Sequence, residues 1–131
     1  MRKQSATHPG CRVVWQAELQ LSIFVRAGDT YAGRPLHHEI IDRARRAGLR
    51  GATAIRGLQG FGASGNVGRP GLATLTGREP VLIEVTDEAD RVRAFLPTVE
   101  QLAAGGLITL KTVTARRVAT DLPDIATSAL T

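Results

Sequence analysis

Leu19, Leu21, Ile23 and Val25 alternate with Gln20, Ser22, Phe24 and Arg26. That is period two, and it predicts a strand with one strongly apolar face. A loop or turn, AGDTYAGR (27–34), follows. Pro35 then opens a helix, where a missing N–H costs nothing. Leu36, Ile40, Ala44 and Ala47 form its apolar stripe, and Gly48 supplies the left-handed stop. The next strand, 52–58, runs into a glycine-rich segment that reaches about Gly71, with a short extended piece expected at 72–75. VLIEVT (81–86) predicts a central strand. Thr86 or Asp87 is placed to cap the helix behind it. In that helix Val92, Phe95, Val99 and Leu102 share a face, while Pro97 predicts a kink or two helical pieces. Gly105-Gly106 ends it, and LITLKTVTA (107–115) is the last strand.

The order β-α-β-β-α-β predicts a ferredoxin-like α+β sandwich: a four-stranded antiparallel sheet with two helices on one face. The other sheet face would carry Gln20, Ser22 and Phe24. A mixed face of that kind is a first sign of self-association. Residues 1–16 lack any period and predict a flexible arm. Residues 17–117 form the domain, and 118–131 read as a peripheral tail.

Composition narrows the chemistry. At 131 residues the chain suits one domain, and only 4% aromatic residues leave its core to aliphatic side chains. A single cysteine, Cys11, excludes an intrachain disulfide and a multi-cysteine zinc site. No apolar run is long enough to span a bilayer and no secretory signal is expected, so the expected compartment is the cytoplasm, without membrane insertion. The net charge is +5. Residues 1–16 hold three bases and no acid, and the tail holds Asp121 and Asp124 and no base. The remaining body is mildly basic, which suits an anionic ligand, although charge alone also serves solubility.

Gly51–Gly65, GATAIRGLQGFGASG, carries the candidate chemistry. Gly57, Gly60, Gly62 and Gly65 follow a strand, an arrangement that lets backbone amides converge on an anion, with Arg56 adding charge. The alternative is that these glycines only allow tight turns at a loop base. No Gly-Lys-Ser/Thr follows, so this is not a Walker loop. Arg116 and Arg117, after the last strand, are candidate phosphate ligands or a solvated strand end. His37, His38, Glu39 and Asp42 read as an exposed polar helix face; His38 and Asp42 share a face, but two ligands do not make a metal site. Asp29, Glu39, Asp42 and Glu84 are scattered over the elements, and no nucleophile–base pair or acid pair emerges, so no enzyme is expected.

The segment GATAIRGLQGFGASG resembles the GATV-x-RG-x-x-GFG pattern of the uncharacterised family called domain of unknown function 190. More distantly it resembles the strand-to-T-loop segment of the PII nitrogen-signalling proteins. Tyr31-Ala-Gly33-Arg34-Pro35-Leu36, the strand from Pro80 to Asp87, Phe95-Leu96-Pro97 and Gly106-Leu-Ile-Thr-Leu extend the likeness over roughly 18–117. The resemblance implies a homotrimeric, PII-like regulator. A small anionic effector, with a nucleotide as one candidate, would bind near Gly57–Gly65 and Arg116-Arg117 in clefts between protomers. The loop 59–71 would then engage a partner protein. PII proteins also carry a lysine in a glycine-rich loop before the last strand. Ala104-Gly105-Gly106-Leu107 stands there, which argues against classical ATP binding and leaves the cofactor unknown. Two other readings stay open: a basic nucleic-acid-binding module, disfavoured by the missing aromatic pattern, and a metal-responsive trimer of similar architecture.

Overall fold

A computed structural model describes residues 14–62 and 77–120. Its elements are β1 (Gln16–Arg26), β2 (Thr30–Tyr31), β3 (Arg34–Pro35), α1 (Leu36–Arg46), β4 (Thr53–Arg56), β5 (Pro80–Asp87), α2 (Ala89–Leu102) and β6 (Leu107–Ala115). The main sheet runs β4-β5-β1-β6 and is antiparallel, the expected α+β ferredoxin-like arrangement. The chain falls into two compact units, Glu18–Val113 and the two ends, 1–17 with 114–131.

The larger unit is built on the pairing of β1 with β5. Leu21 faces Val85, Ile23 faces Ile83 and Val25 faces Val81, and all six are buried. Leu36, Ile40 and Ala44 of α1 and Val92, Phe95, Val99 and Leu102 of α2 cover that face. Burying an aliphatic side chain contributes roughly 1.5–3 kcal/mol, so this double row holds most of the stability. The opposite face carries Phe24, Ile55 and Leu107, which are 42%, 49% and 57% exposed. Ile108 packs on the core, so alternation turns its neighbour Leu107 outward.

Several local expectations are corrected by geometry. The 27–34 turn holds a two-residue hairpin, β2 with β3, and Ala32 and Gly33 both have positive φ, 51° and 79°. That is the turn twist that suits a tight hairpin. Pro35 sits just outside α1 as its N-cap, since its ψ of 131° is extended. Gly48, at φ 84°, ends α1 as expected. Strand β4 is shorter than the predicted 52–58. The piece expected at 72–75 and most of both ends lie outside the described residues.

Pro97 does not divide α2, which runs unbroken from Ala89 to Leu102. Arg93 and Pro97 are both exposed, so the carbonyl that loses its helical partner lies on the solvent side. Asp87 also departs from its expected role. The helix N-cap is Glu88, with no side-chain cap. Asp87 is instead fully buried and accepts from Arg50 N at 2.9 Å and Glu88 N at 2.7 Å. The Arg50 guanidinium approaches Asp87 at 3.7 Å and the buried Glu18 at 3.8 Å.

Asp87 thus ties the end of the central strand to the segment that leads into β4. Asp87→Ala leaves two backbone N–H groups without their acceptor. We expect a loss of about 2–4 kcal/mol, read as a lowered urea midpoint with an unchanged slope.

Candidate functional site

Helix α1 turns two faces inward. Its apolar stripe meets the sheet, while His38, Ile41 and Arg45 follow each other at helical spacing along the side next to β4, with Arg34 of β3 ahead of them. Strand β4 answers with period two. Arg56 pairs with the buried Val81 and Ala54 with the buried Ile83, so both point to the helix side. Ile55 faces the open side. Between α1 and β4 lies an open cleft of about 490 Å³, lined by Arg34, His37, His38, Ile41, Asp42 and Arg45 of the helix segment and by Ala54, Arg56 and Val81 of the sheet.

The cleft has an apolar floor and a basic rim. Each rim arginine is braced by a carboxylate: Arg34 by Glu39 at 2.9 Å, Arg45 by Asp42 at 2.6 Å, and Arg56 by Glu79. Glu39 is buried and also takes Arg43 at 2.8 Å and Arg46 at 3.7 Å. Asp42 additionally pairs with Arg46 at 2.8 Å. The hydrogen bond from Arg45 holds the Asp42 carboxyl below the ordinary carboxylate range; partial burial opposes this, and the charges of Arg46 and Arg34 reinforce it.

His37 is only 8% exposed, and its Nδ1 is buried without a hydrogen-bond partner among the described residues. Its ring meets that of His38 edge-on, with centroids 4.4 Å apart. Burial, and then the charges of His38 and Arg56, push its pKa below the usual imidazole value. The expected exposed polar face at 37–39 is therefore corrected: His38 is exposed, but His37 and Glu39 are buried. Among the described residues no group of three or more His, Cys, Asp and Glu side chains is placed to hold a metal.

The glycine-rich segment opens directly beyond Arg56. Gly57 N donates to Pro80 O at 2.8 Å, and a Cβ on Gly57 would lie 2.8 Å from Pro80 Cγ. A close approach of loop and strand thus explains glycine at 57. Among the described residues Gly60 meets Pro80 at ordinary contact distance and Gly62 meets nothing, so packing against them does not demand glycine at either. Leu58 and Phe61 are exposed at 85% and 72%. Gly65 lies outside the described residues. Arg116 and Arg117 are exposed in the unit formed by the chain ends, where the Arg116 guanidinium lies 5.4 Å over the Trp15 ring. Sequence reasoning missed Arg45 and His37 as cleft residues. The spacing 38-41-45 marks the side of α1 that carries Arg45, but no signal in the sequence brings it to β4 or marks His37.

The chain belongs to the domain of unknown function 190 family, described as uncharacterized ACR, whose profile matches residues 18–115. It is 32% identical over 93 residues to the UPF0166 protein of Aquifex aeolicus (strain VF5), covering 71% of this chain and 88% of that one. A UPF0166 protein of Methanocaldococcus jannaschii is 33% identical over 89 residues, with 67% and 82% covered. The fold is similar to that of CPII, a nitrogen regulatory PII-like protein from Thiomonas intermedia K12, solved with ADP, AMP and bicarbonate. That match has 16% identity and a TM-score of 0.59, and it covers 81% of this chain and 100% of that one. A candidate PII-like signaling protein from Thermus thermophilus gives 11% identity, a TM-score of 0.60, and coverage of 78% and 92%. The fold is thus PII-like. Among the described residues no helix is long and apolar enough to cross a membrane.

His37 makes stability depend on pH. Its folded pKa lies below the 6.5 of a free imidazole, so the unfolded chain binds the proton more readily. The stability of the neutral buried ring is complete above pH 6.5 and is lost as pH falls from there through the folded value. His37→Gln removes that component. Thermal melts between about pH 7 and about pH 5 should show a smaller fall in Tm for the variant than for the parent. A second expectation concerns Gly57→Ala, which forces Pro80 to shift and should cost about 1–3 kcal/mol in a denaturant titration.

Proposed function

We propose that the protein is a non-enzymatic, cytoplasmic, PII-like regulator that works as a homotrimer. A small anionic effector, of which a nucleotide is one candidate, binds in clefts between protomers near Gly57–Gly65 and Arg116-Arg117. Binding orders the loop 59–71, which then engages a partner protein.

The observation that carries this reading is the foot of the loop. Arg56 closes β4, and Gly57 is anchored to Pro80. Among the described residues nothing packs tightly enough on Gly60 or Gly62 to demand glycine, which suits a main chain open to an approaching anion. The fold likeness to CPII, whose structures hold ADP, AMP and bicarbonate, supports an anionic effector. Self-association is supported by the open sheet face with Phe24, Ile55 and Leu107.

Two measurements test the reading. Light scattering on the eluted protein should give three times the protomer mass, and Phe24→Asp should shift it to the protomer by placing a charge on the open face. A parent protein that runs as a monomer at every concentration refutes the trimer. Calorimetry with ADP, AMP and bicarbonate should show saturable binding of at least one of them, weakened by Arg116→Gln. Heats at the dilution baseline for all three refute the effector.

A further inference from the structure

We infer that the cleft between α1 and β4 is a separate binding site, complete within one protomer, for a small organic anion. A phosphate or carboxylate group is held by Arg34, Arg45 and Arg56, and an apolar body rests on Ile41, Ala54 and Val81.

The size of the cleft selects the ligand class. About 490 Å³ lies in the range of small-molecule sites and far exceeds the space a bare oxyanion occupies. The floor is apolar. Among the described residues no element covers it, since β4 is the edge of the sheet and Ala54 is exposed. The rim is basic: five arginines, Arg34, Arg43, Arg45, Arg46 and Arg56, share the three carboxylates of Glu39, Asp42 and Glu79, and of those three only Asp42 lines the cleft.

The rim is also preorganised. Arg34, Arg45 and Arg56 each spend part of the guanidinium on a bracing carboxylate. A guanidinium has five N–H donors, so each keeps donors for an incoming anion while its position is already set. The same bracing disfavours a cation. Asp42 is committed to Arg45 and Arg46 and cannot serve as a ligand beside His37 and His38 without breaking both pairs.

His37 supplies an independent observation. Most buried polar side-chain atoms in a folded protein find a partner. His37 lines the cleft, is more than nine-tenths buried, and has an Nδ1 with none among the described residues. A purely structural position on α1 would be filled more favourably by an aliphatic side chain. The charged and titratable groups that line the cleft with this ring are His38, Asp42 and Arg45 on α1, Arg34 ahead of it, and Arg56 on β4. An anion among them offsets the repulsion that His38 and Arg56 impose on the imidazolium. Occupancy of the cleft therefore raises the His37 pKa. Arg56 belongs both to this rim and to the foot of the loop, so the bound anion also restrains the residue at which β4 ends.

The test uses the full chain and four probes: phenyl phosphate, benzoate, inorganic phosphate and benzyl alcohol. Calorimetry gives affinities, and histidine side-chain NMR follows His37. Phenyl phosphate or benzoate should bind at least about ten-fold tighter than both inorganic phosphate, which lacks the apolar body, and benzyl alcohol, which lacks the charge. The better of the two identifies the acid group that the rim accepts. The His37 titration should move to higher pH on binding. Arg34→Gln with Arg45→Gln should weaken binding by about ten-fold or more. Arg45→Gln alone, at a largely exposed side chain, gives the same direction if the double variant is unstable.

Arg116→Gln separates this site from the proposed effector site and should leave probe binding unchanged. Equal affinity for phenyl phosphate and inorganic phosphate overturns the inference. So does binding that Arg116→Gln abolishes while the Arg34 and Arg45 variants leave it intact. A failure of the trimer or of nucleotide binding does not touch it, because every lining residue comes from one protomer.

Discussion

The register of β1 against β5 is the constraint from which the rest follows. Ile23 opposite Ile83 sets every other pair of the central ladder, and a slip by one residue would turn the apolar row of the slipped strand to the open face. With that register in place the helices have one face to cover. The same register carries β5 onward to β4, where Val81 meets Arg56 and Ile83 meets Ala54. The position of the cleft and the point at which the long loop departs are both consequences of the core pairing.

Polar groups placed around this core serve to hold its edges. Asp87, fully buried, collects two backbone N–H groups and the flank of Arg50. Glu39, also buried, collects three arginines. Buried carboxylates are costly unless paired and hydrogen-bonded, and here each is satisfied from several directions. Glu39 and its arginines also fix the side of α1 that faces β4. Rigidity of the rim and stability of the helix surface therefore share one ion-pair cluster. The pair His37 and His38 stands beside it with weaker support, the kind of local shortfall often found where a protein meets a ligand.

Much of this was legible in the residues themselves. Alternation at 19–25, the apolar run at 81–86 and the helical stripes at 36–47 and 92–102 placed the sheet and both helices, although Ala47 is exposed. Pro97 left a kink and two helical pieces both open; α2 is one helix, its orphaned carbonyl at Arg93 lies on the solvent side, and that exposure cannot be read from one position. The hairpin at 30–35 was missed because Ala32 takes a left-handed conformation that alanine does not advertise. Gly57 read as a ligand glycine, yet its closest demand comes from Pro80, distant in sequence and adjacent in space. His37 and Glu39 read as solvent-facing because a helical wheel does not tell how wide the covered sector is.

The sequence by itself determined the fold class, the two apolar layers and the family, because hydrophobic period and glycine spacing are local properties of the chain. Only the tertiary structure decided which charges meet. Arg34 and Arg45 are eleven positions apart from end to end, and Arg56 lies on another element. They share a cleft because α1 lies against the edge of a sheet whose register sends Ala54 and Arg56 to the helix side. Convergence of that kind depends on the packing of a helix on a strand, which no linear spacing encodes.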